Sequence, residues 1–491
     1  MHLRSLLVAT LLALALPAAA LAAAIHGTAR PDRVRGTGGA DRIDVMGGGA
    51  DTVDCRGGFD VVNADLSDRV SASCELVSRR ISVDKLRDGA SQSQSQVEPA
   101  AFAWGRTVVA AFQVGRFTDG GAAGIGWAQS TDAGRTWRNG ILPGVTTASG
   151  GTAPRASDPA VAFDAAHGVW LVSTLILGGT FSELGISRSA DGASWSTPVG
   201  AARNDQQWLA YDKEWVACDN TQSSPFYGTC YLVWTDELGG RLASQTSRDG
   251  GLTWGEPVTI TAQFGTAAEG ALPLIQPDGA LVVVYNGGDN GIFSTQSLDA
   301  GATFTTPLGV AALEQAVQPG LRAPSLPTGT VDSNGRMYVA WADCRFRAPC
   351  DGDDIVLTTS TDGVSWTAPA KIPGTGFDSF VPGIAADPLV PGRLSLVTYV
   401  RTAETCDFAS CSVGIATTSS RDGGLTWSKP RRLDAFAPRY NWLAVTDAGR
   451  FVGDYVGATY SDGRFVPVFA LAKAPSRNML HEFMASASLP G

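Results

Sequence analysis

An eight-residue phrase that occurs six times constrains this chain more than anything else in it. The phrase reads Ser130-Thr131-Asp132-Ala133-Gly134-Arg135-Thr136-Trp137. It recurs around Asp191, Asp249, Asp299, Asp362 and Asp422, with the copies at Asp191 and Asp362 one residue short and Phe304 replacing the Trp in the copy at Asp299. Successive aspartates stand about 50 to about 63 residues apart, the length of a four-stranded unit, which points to a radially repeated all-β architecture. The phrase reads as a staple. An Asp followed by Gly makes a tight turn, the carboxylate accepts hydrogen bonds from the turn's own amides, and the Trp folds back over the hairpin.

On these six copies the chain resembles the Asp-box (BNR) proteins, best known from sialidases, over roughly residues 97–491. The resemblance implies that the boxes lie on the face opposite an active site, so they carry structure and no reaction. Each unit opens with a polar residue and a short apolar strand. The openings are Glu98-Pro99, Asp158-Pro159, Asp212-Lys213-Glu214, Glu269-Gly270, Arg322-Ala323-Pro324, Asp378-Ser379 and Asp454-Tyr455, seven openings for six boxes. The last unit has no box and stops after a third strand, so a segment near Arg79 to Leu86 is expected to supply its missing outer strand. The expected fold is all-β: a seven-bladed, alternatively six-bladed, Asp-box β-propeller preceded by a short β-roll-like Gly/Asp repeat module.

Residues 1–24 read as a signal peptide. Met1 to Arg4 is basic, Leu6 to Leu16 apolar, and Ala18 to Ala24 supplies small residues for cleavage. No later stretch is apolar for 18 residues, so the mature protein is expected to be secreted, without a membrane span. A net charge of −10 with 17% charged residues gives no sign of a nucleic-acid partner. The eight cysteines sit in close couples, Cys55 with Cys74, Cys218 with Cys230, Cys344 with Cys350 and Cys406 with Cys411. Proximity favours those four disulfides over free thiols or a metal site, for which no C-x-x-C knuckle speaks.

Residues 25–76 are Gly-rich and carry Asp32, Asp41, Asp51, Asp60 and Asp68, each followed two residues later by Val or Ile. The stretch from Gly36 to Val53 resembles the nonapeptide repeats of RTX (haemolysin-type) calcium-binding proteins. That resemblance implies Ca2+ held by Asp32, Asp41, Asp51 and Asp60 with turn carbonyls. The spacing drifts from nine, and Met46 and Cys55 replace glycines, so a roll held by its disulfide in place of ions is the alternative. Residues 77–96, with the polar run Gly89 to Gln96, read as a linker and possible closing strand before the repeats.

The sialidase resemblance implies three arginines clamping a sugar carboxylate, a Tyr nucleophile activated by a Glu, and an Asp acid/base. Arg322, Arg345 and Arg401 fall on the proposed mouth of the funnel, and Tyr455 opens the last inner strand. Glu214 or Glu269 is its candidate partner, and Asp158 or Asp212 the candidate proton donor. The implied activity is that of a secreted exo-α-sialidase acting on terminal acidic sugars. The alternative is a non-catalytic secreted protein that binds glycan, cell-wall polymer or protein at the same place. No Gly-x-Ser-x-Gly elbow, zinc motif, P-loop or dinucleotide fingerprint offers a third reading.

Overall fold

The computed structural model describes residues 22–86, 88–261, 268–288, 291–374, 376–403, 406, 410–477 and 479–491. Most of the expected signal peptide therefore lies outside the described residues. The first seven strands are short: β1 (Ala24–His26), β2 (Arg33–Arg35), β3 (Arg42–Asp44), β4 (Thr52–Asp54), β5 (Val61–Ala64), β6 (Arg69–Val70) and β7 (Leu76–Arg80). They pair in parallel, β1 to β3 to β5 to β7 on one side and β2 to β4 to β6 on the other. The apolar residue of each turn points inward, so Val34, Ile43, Val53 and Val62 form one buried column with the Cys55–Cys74 disulfide. This is a β-solenoid of about three turns.

Longer antiparallel strands follow. They are β8 (Gln92–Trp104), β9 (Thr107–Arg116), β10 (Ala122–Ser130), β11 (Arg138–Ile141), β12 (Arg155–Asp164), β13 (Val169–Leu177), β14 (Ser182–Ser189) and β15 (Val199–Asn204). Next come β16 (Tyr211–Cys218), β17 (Cys230–Asp236), β18 (Arg241–Ser247), β19 (Val258–Thr259), β20 (Glu269–Ile275), β21 (Leu281–Asn286), β22 (Gly291–Ser297) and β23 (Leu308–Ala312). The chain continues through β24 (Thr328–Val331), β25 (Met337–Asp343), β26 (Asp354–Ser360), β27 (Ala370–Ile372), β28 (Asp378–Ala386), β29 (Leu394–Arg401), β30 (Val413–Ser420) and β31 (Arg431–Arg432). It ends with β32 (Ala444–Thr446), β33 (Gly449–Phe451), β34 (Gly457–Ser461), β35 (Arg464–Ser476), β36 (Met479–Ala487) and β37 (Leu489–Pro490).

The all-β class is as expected, but the expectation of seven (or six) propeller blades after a separate module is corrected. The regular architecture is the solenoid of about three turns. Its strand β7 pairs antiparallel with β36, placing Ala485 opposite Arg80, so the solenoid and the chain's last strands form one eight-stranded sheet. A second eight-stranded sheet runs from β8 to β15, because β10 bonds to β12 at Ala122 and Ala156. The backbone amides at these edges find partners across the gap that a blade boundary would have left open.

The six phrases form the links between β10, β14, β18, β22, β26 or β30 and the strand after each. In all six the Ser hydroxyl bonds the Asp carboxylate at 2.7–3.0 Å. The same hydroxyl accepts a Gly amide at 2.8–2.9 Å. The turn needs a left-handed residue, supplied by Gly192, Gly250, Gly363 and Gly423 in four copies and by Ala133 and Ala300 in the others.

All four expected disulfides are formed, each between neighbours in sequence. Among the described residues no helix is long and apolar enough to cross a membrane.

Candidate functional site

The first strands of successive units share a defect. β8, β12, β16, β20 and β28 each carry a bulge, between Val97 and Ala100, Ser157 and Ala160, Asp212 and Trp215, Glu269 and Leu272, and Phe380 and Gly383. The bulged residue has positive φ: Glu98 at 55°, Asp158 at 46°, Lys213 at 49°, Gly270 at 65° and Val381 at 47°. Such a backbone is costly for residues other than glycine and persists where the surroundings fix it, commonly at a working site.

Three of these bulges meet. β8 packs beside β12, β12 beside β16, and β34 beside β8, so Glu98, Asp158, Lys213 and Glu214 converge with Asp454 and Tyr455 from the segment before β34. Lys213 is the hub. Its ammonium lies 3.0 Å from Asp454 and 3.5 Å from Asp212, and its backbone N–H donates to Asp158 at 3.3 Å. Arg322, ahead of β24, closes on the same Asp454 with two hydrogen bonds, Nε at 3.1 Å from Oδ1 and Nη2 on Oδ2. Glu98 accepts the Asp454 amide at 3.3 Å and the Gln113 side-chain amide, and Arg116 stands 4.0 Å away.

The cluster divides its carboxyls into two kinds. Burial opposes ionisation of Asp454, but Lys213 and Arg322 outweigh it and hold the carboxyl well below the usual range. Burial, then the charge of Asp212, pushes Asp158 up to about 7. Burial, then Asp158 and Asp454, pushes Glu98 up to about 8. Glu214 is raised well above its ordinary value by burial and then by Asp158. Burial followed by Asp158, Glu98 and Glu214 does the same to the Tyr455 phenol. Buried acids held protonated beside one held ionised are what proton transfer near neutral pH requires.

Among the described residues, neither carboxylate oxygen of Glu214 nor the Tyr455 hydroxyl has a hydrogen-bond partner, although all three atoms are buried. The Tyr455 ring meets Trp215 edge-on at 5.3 Å. A buried polar atom left unpaired is expensive, and here three belong to neighbouring groups.

The structure thus gathers Tyr455, Glu214, Asp158 and, at the half-exposed edge, Asp212. Glu269 opens β20, which packs beside β16, and stands next to Glu237, whose carboxyl is raised by burial and then by the charge of Glu269. Each of the three arginines is taken by a different aspartate. Arg322 holds Asp454. Arg345 holds Asp343 at 2.6 and 2.8 Å and reaches the Ala312 carbonyl. Arg401 meets Asp378 at 3.3 Å, with Phe377 under its guanidinium. Sequence reasoning missed Glu98, Lys213 and Asp454 as members of the site. The repeated opening position, with Pro after Glu98 and Asp158, was the available signal.

In the solenoid the aspartates form two ladders. On one edge the amide of Asp32 donates to Asp51 at 2.7 Å and that of Asp51 to Asp68 at 3.0 Å. On the other, Ala23 donates to Asp41, Asp41 to Asp60 and Asp60 to Glu75, at 2.7, 2.7 and 2.9 Å. These carboxylates are therefore engaged as acceptors of backbone N–H groups. Asp51 Oδ2 and Asp60 Oδ2, one on each ladder, are buried without a hydrogen-bond partner among the described residues. The one group of three or more His, Cys, Asp or Glu ligands among the described residues is Asp164 with Cys218 and Cys230, whose sulfurs form a disulfide.

No family model and no curated protein matches this chain. Solved structures do. A polysaccharide lyase, an ulvan lyase, is 11% identical and is matched over 82% of this chain and 96% of its own, with a TM-score of 0.49. An α-L-arabinofuranosidase from Fusarium graminearum is 13% identical over 68% and 96%, with a TM-score of 0.45. An intramolecular trans-sialidase from leech is 14% identical over 83% and 70%, with a TM-score of 0.40. By their names, these three neighbours act on carbohydrate. At TM-scores below 0.5 none of them fixes a reaction for this chain.

Proposed function

We propose that this chain is a carbohydrate-active protein of glycoside-hydrolase type, working at the cluster around Lys213. The observation that carries the reading is the burial together of Asp158, Glu214 and Tyr455, with the Glu214 oxygens and the Tyr455 hydroxyl unpaired. In this reading Asp158, protonated up to about pH 7, donates a proton to the leaving-group oxygen. Glu214, which burial holds protonated in the free site, must first give up its proton to water as the sugar binds; it then takes the phenol proton while Tyr455 attacks the anomeric carbon, and water releases the sugar with Asp158 acting as base. The resemblance of the six phrases to the Asp box supports the sialidase type. The separate engagement of Arg322, Arg345 and Arg401 counts against a carboxylate clamp, and so against an acidic terminal sugar.

The test is fluorophore release from a panel of 4-methylumbelliferyl glycosides, sialoside included, with Tyr455→Phe and Glu214→Gln beside the wild type. Turnover lost in both variants supports the reading. Binding of glycan without turnover in the wild type would establish the non-catalytic alternative, which the paired arginines favour.

For the solenoid, Ca2+ is proposed only at Asp51 and Asp60. A melting temperature raised by millimolar CaCl2 and returned by EDTA is the expected result, and indifference to both would remove the ion. Secretion is proposed from residues 1–24, and a glycan or cell-surface polymer is the proposed partner.

A further inference from the structure

Beside the cluster lies a second set of side chains that the reaction does not use. β9 ends at Arg116 and runs into Phe117, β13 ends at Leu177 ahead of Phe181, and Trp208 follows β15. Phe117, Phe181 and Trp208 are each half-buried. Arg155, the first residue of β12, lays its guanidinium 4.2 Å from the Phe117 ring centroid and 5.8 Å from that of Trp208. Arg203, near the end of β15, lies 3.8 Å over Phe181. The patch is continuous, because Ser182 beside Phe181 donates to the carbonyl of Gln207 beside Trp208 at 3.4 Å. Asp158 is three residues along β12 from Arg155, at most about 10 Å since the strand is bulged there.

The charges of this patch are already balanced. Arg155 pairs with Asp119 at 2.7 Å, and Arg203 pairs with Glu183 and Asp205, each at 2.7 Å. Three carboxylates against two guanidinium groups leave no excess positive charge to attract a polyanion. The ion pairs are exposed, with 64% and 72% of the Asp119 and Asp205 side chains open to solvent, so they are weak and re-form easily around a ligand. With a guanidinium over one face of Phe117 and of Phe181, the larger Trp208 ring is the surface for the C–H face of a sugar, and the guanidinium and carboxylate groups around it can meet the equatorial hydroxyls.

We propose that Phe117, Arg155, Phe181, Arg203 and Trp208 form an outer subsite for a neutral polysaccharide chain, so that the cluster at Asp158 works on the end of a polymer. This rests on the glycoside-directed reading of that cluster but is tested apart from it. The probe is affinity electrophoresis of the full chain in gels containing arabinan, laminarin, xylan or, as the anionic comparison, polygalacturonate. Retardation in a neutral polymer, weakened about tenfold by Trp208→Ala, is the expected result. Arg203→Ala, on an exposed side chain, should weaken it too and keeps the test open if Trp208→Ala does not fold. Retardation only in polygalacturonate, in no gel at all, or unchanged in both variants overturns the subsite. Hydrolysis of a small aryl glycoside without retardation would overturn the subsite alone. Retardation without hydrolysis of any glycoside would overturn the catalytic reading alone.

Discussion

Lys213 is the residue on which the site's electrostatics turn. Its side chain is 7% exposed and its charge is answered by Asp454, which is fully buried. Lys213→Ala leaves Asp454 with Arg322 alone, and breaking a buried pair from one side costs about 3–5 kcal/mol. A urea midpoint lowered to match, with an unchanged slope, is the expected outcome. Asp158 behaves in the opposite sense. Its folded-state value of about 7 stands above its ordinary 3.8, so the folded protein resists its ionisation. The stability it leaves intact below pH 3.8 is lost as pH rises through about 7. Asp158→Asn should flatten that decline in a series of urea melts from pH 4 to pH 8, and an unchanged series would mean that Asp158 ionises freely.

Among the elements, the repeated turns and the bulged strands differ in how far a sequence reveals them. Each turn closes on itself: Thr253 Oγ1 and its amide reach Asp249 at 2.6 and 2.9 Å within a four-residue span. The Asp–Ser–Gly–Thr pattern therefore displays its own hydrogen bonding. Burial works against ionisation of Asp249, but the Thr253 and Ser247 bonds win and bring it down to about 2. The support it gives is present above pH 3.8 and fades as pH falls towards 2. Asp249→Ala should cost about 1–2 kcal/mol at neutral pH and almost nothing at pH 2, which thermal melts at the two pH values would check. The bulges are not legible in this way. Whether Glu98 or Lys213 turns inward depends on neighbours that the local sequence does not contain.

The whole molecule explains the remaining gap. Lys213 meets Asp454 across 241 residues, and Asp454 meets Glu98 across 356, so the cluster exists only once distant units have packed. The sequence displayed Asp158, Glu214 and Tyr455 as openings of strands, and Asp343 stood two residues from Arg345 as its ready partner, but the hold of Asp378 on Arg401, 23 residues away, was not visible. One sheet boundary was hidden for the same reason. The joining of β10 to β12 rests on a pairing between distant backbones and on no motif, whereas the pairing of β7 with β36 at Arg79 and Arg80 was expected from the last unit's missing outer strand. The disulfides were readable because their partners lie 5 to 19 residues apart.

The pH dependence of kcat/KM for hydrolysis of a fluorogenic glycoside, measured for the wild type and for Asp158→Asn, tests the central claim most directly. With Asp158 as proton donor, the wild-type profile should fall as pH rises through about 7. The variant should lose that limb along with about 10²- to 10⁴-fold of its activity. A wild type inactive on every glycoside, or a variant with the same rate and the same profile, would contradict the account.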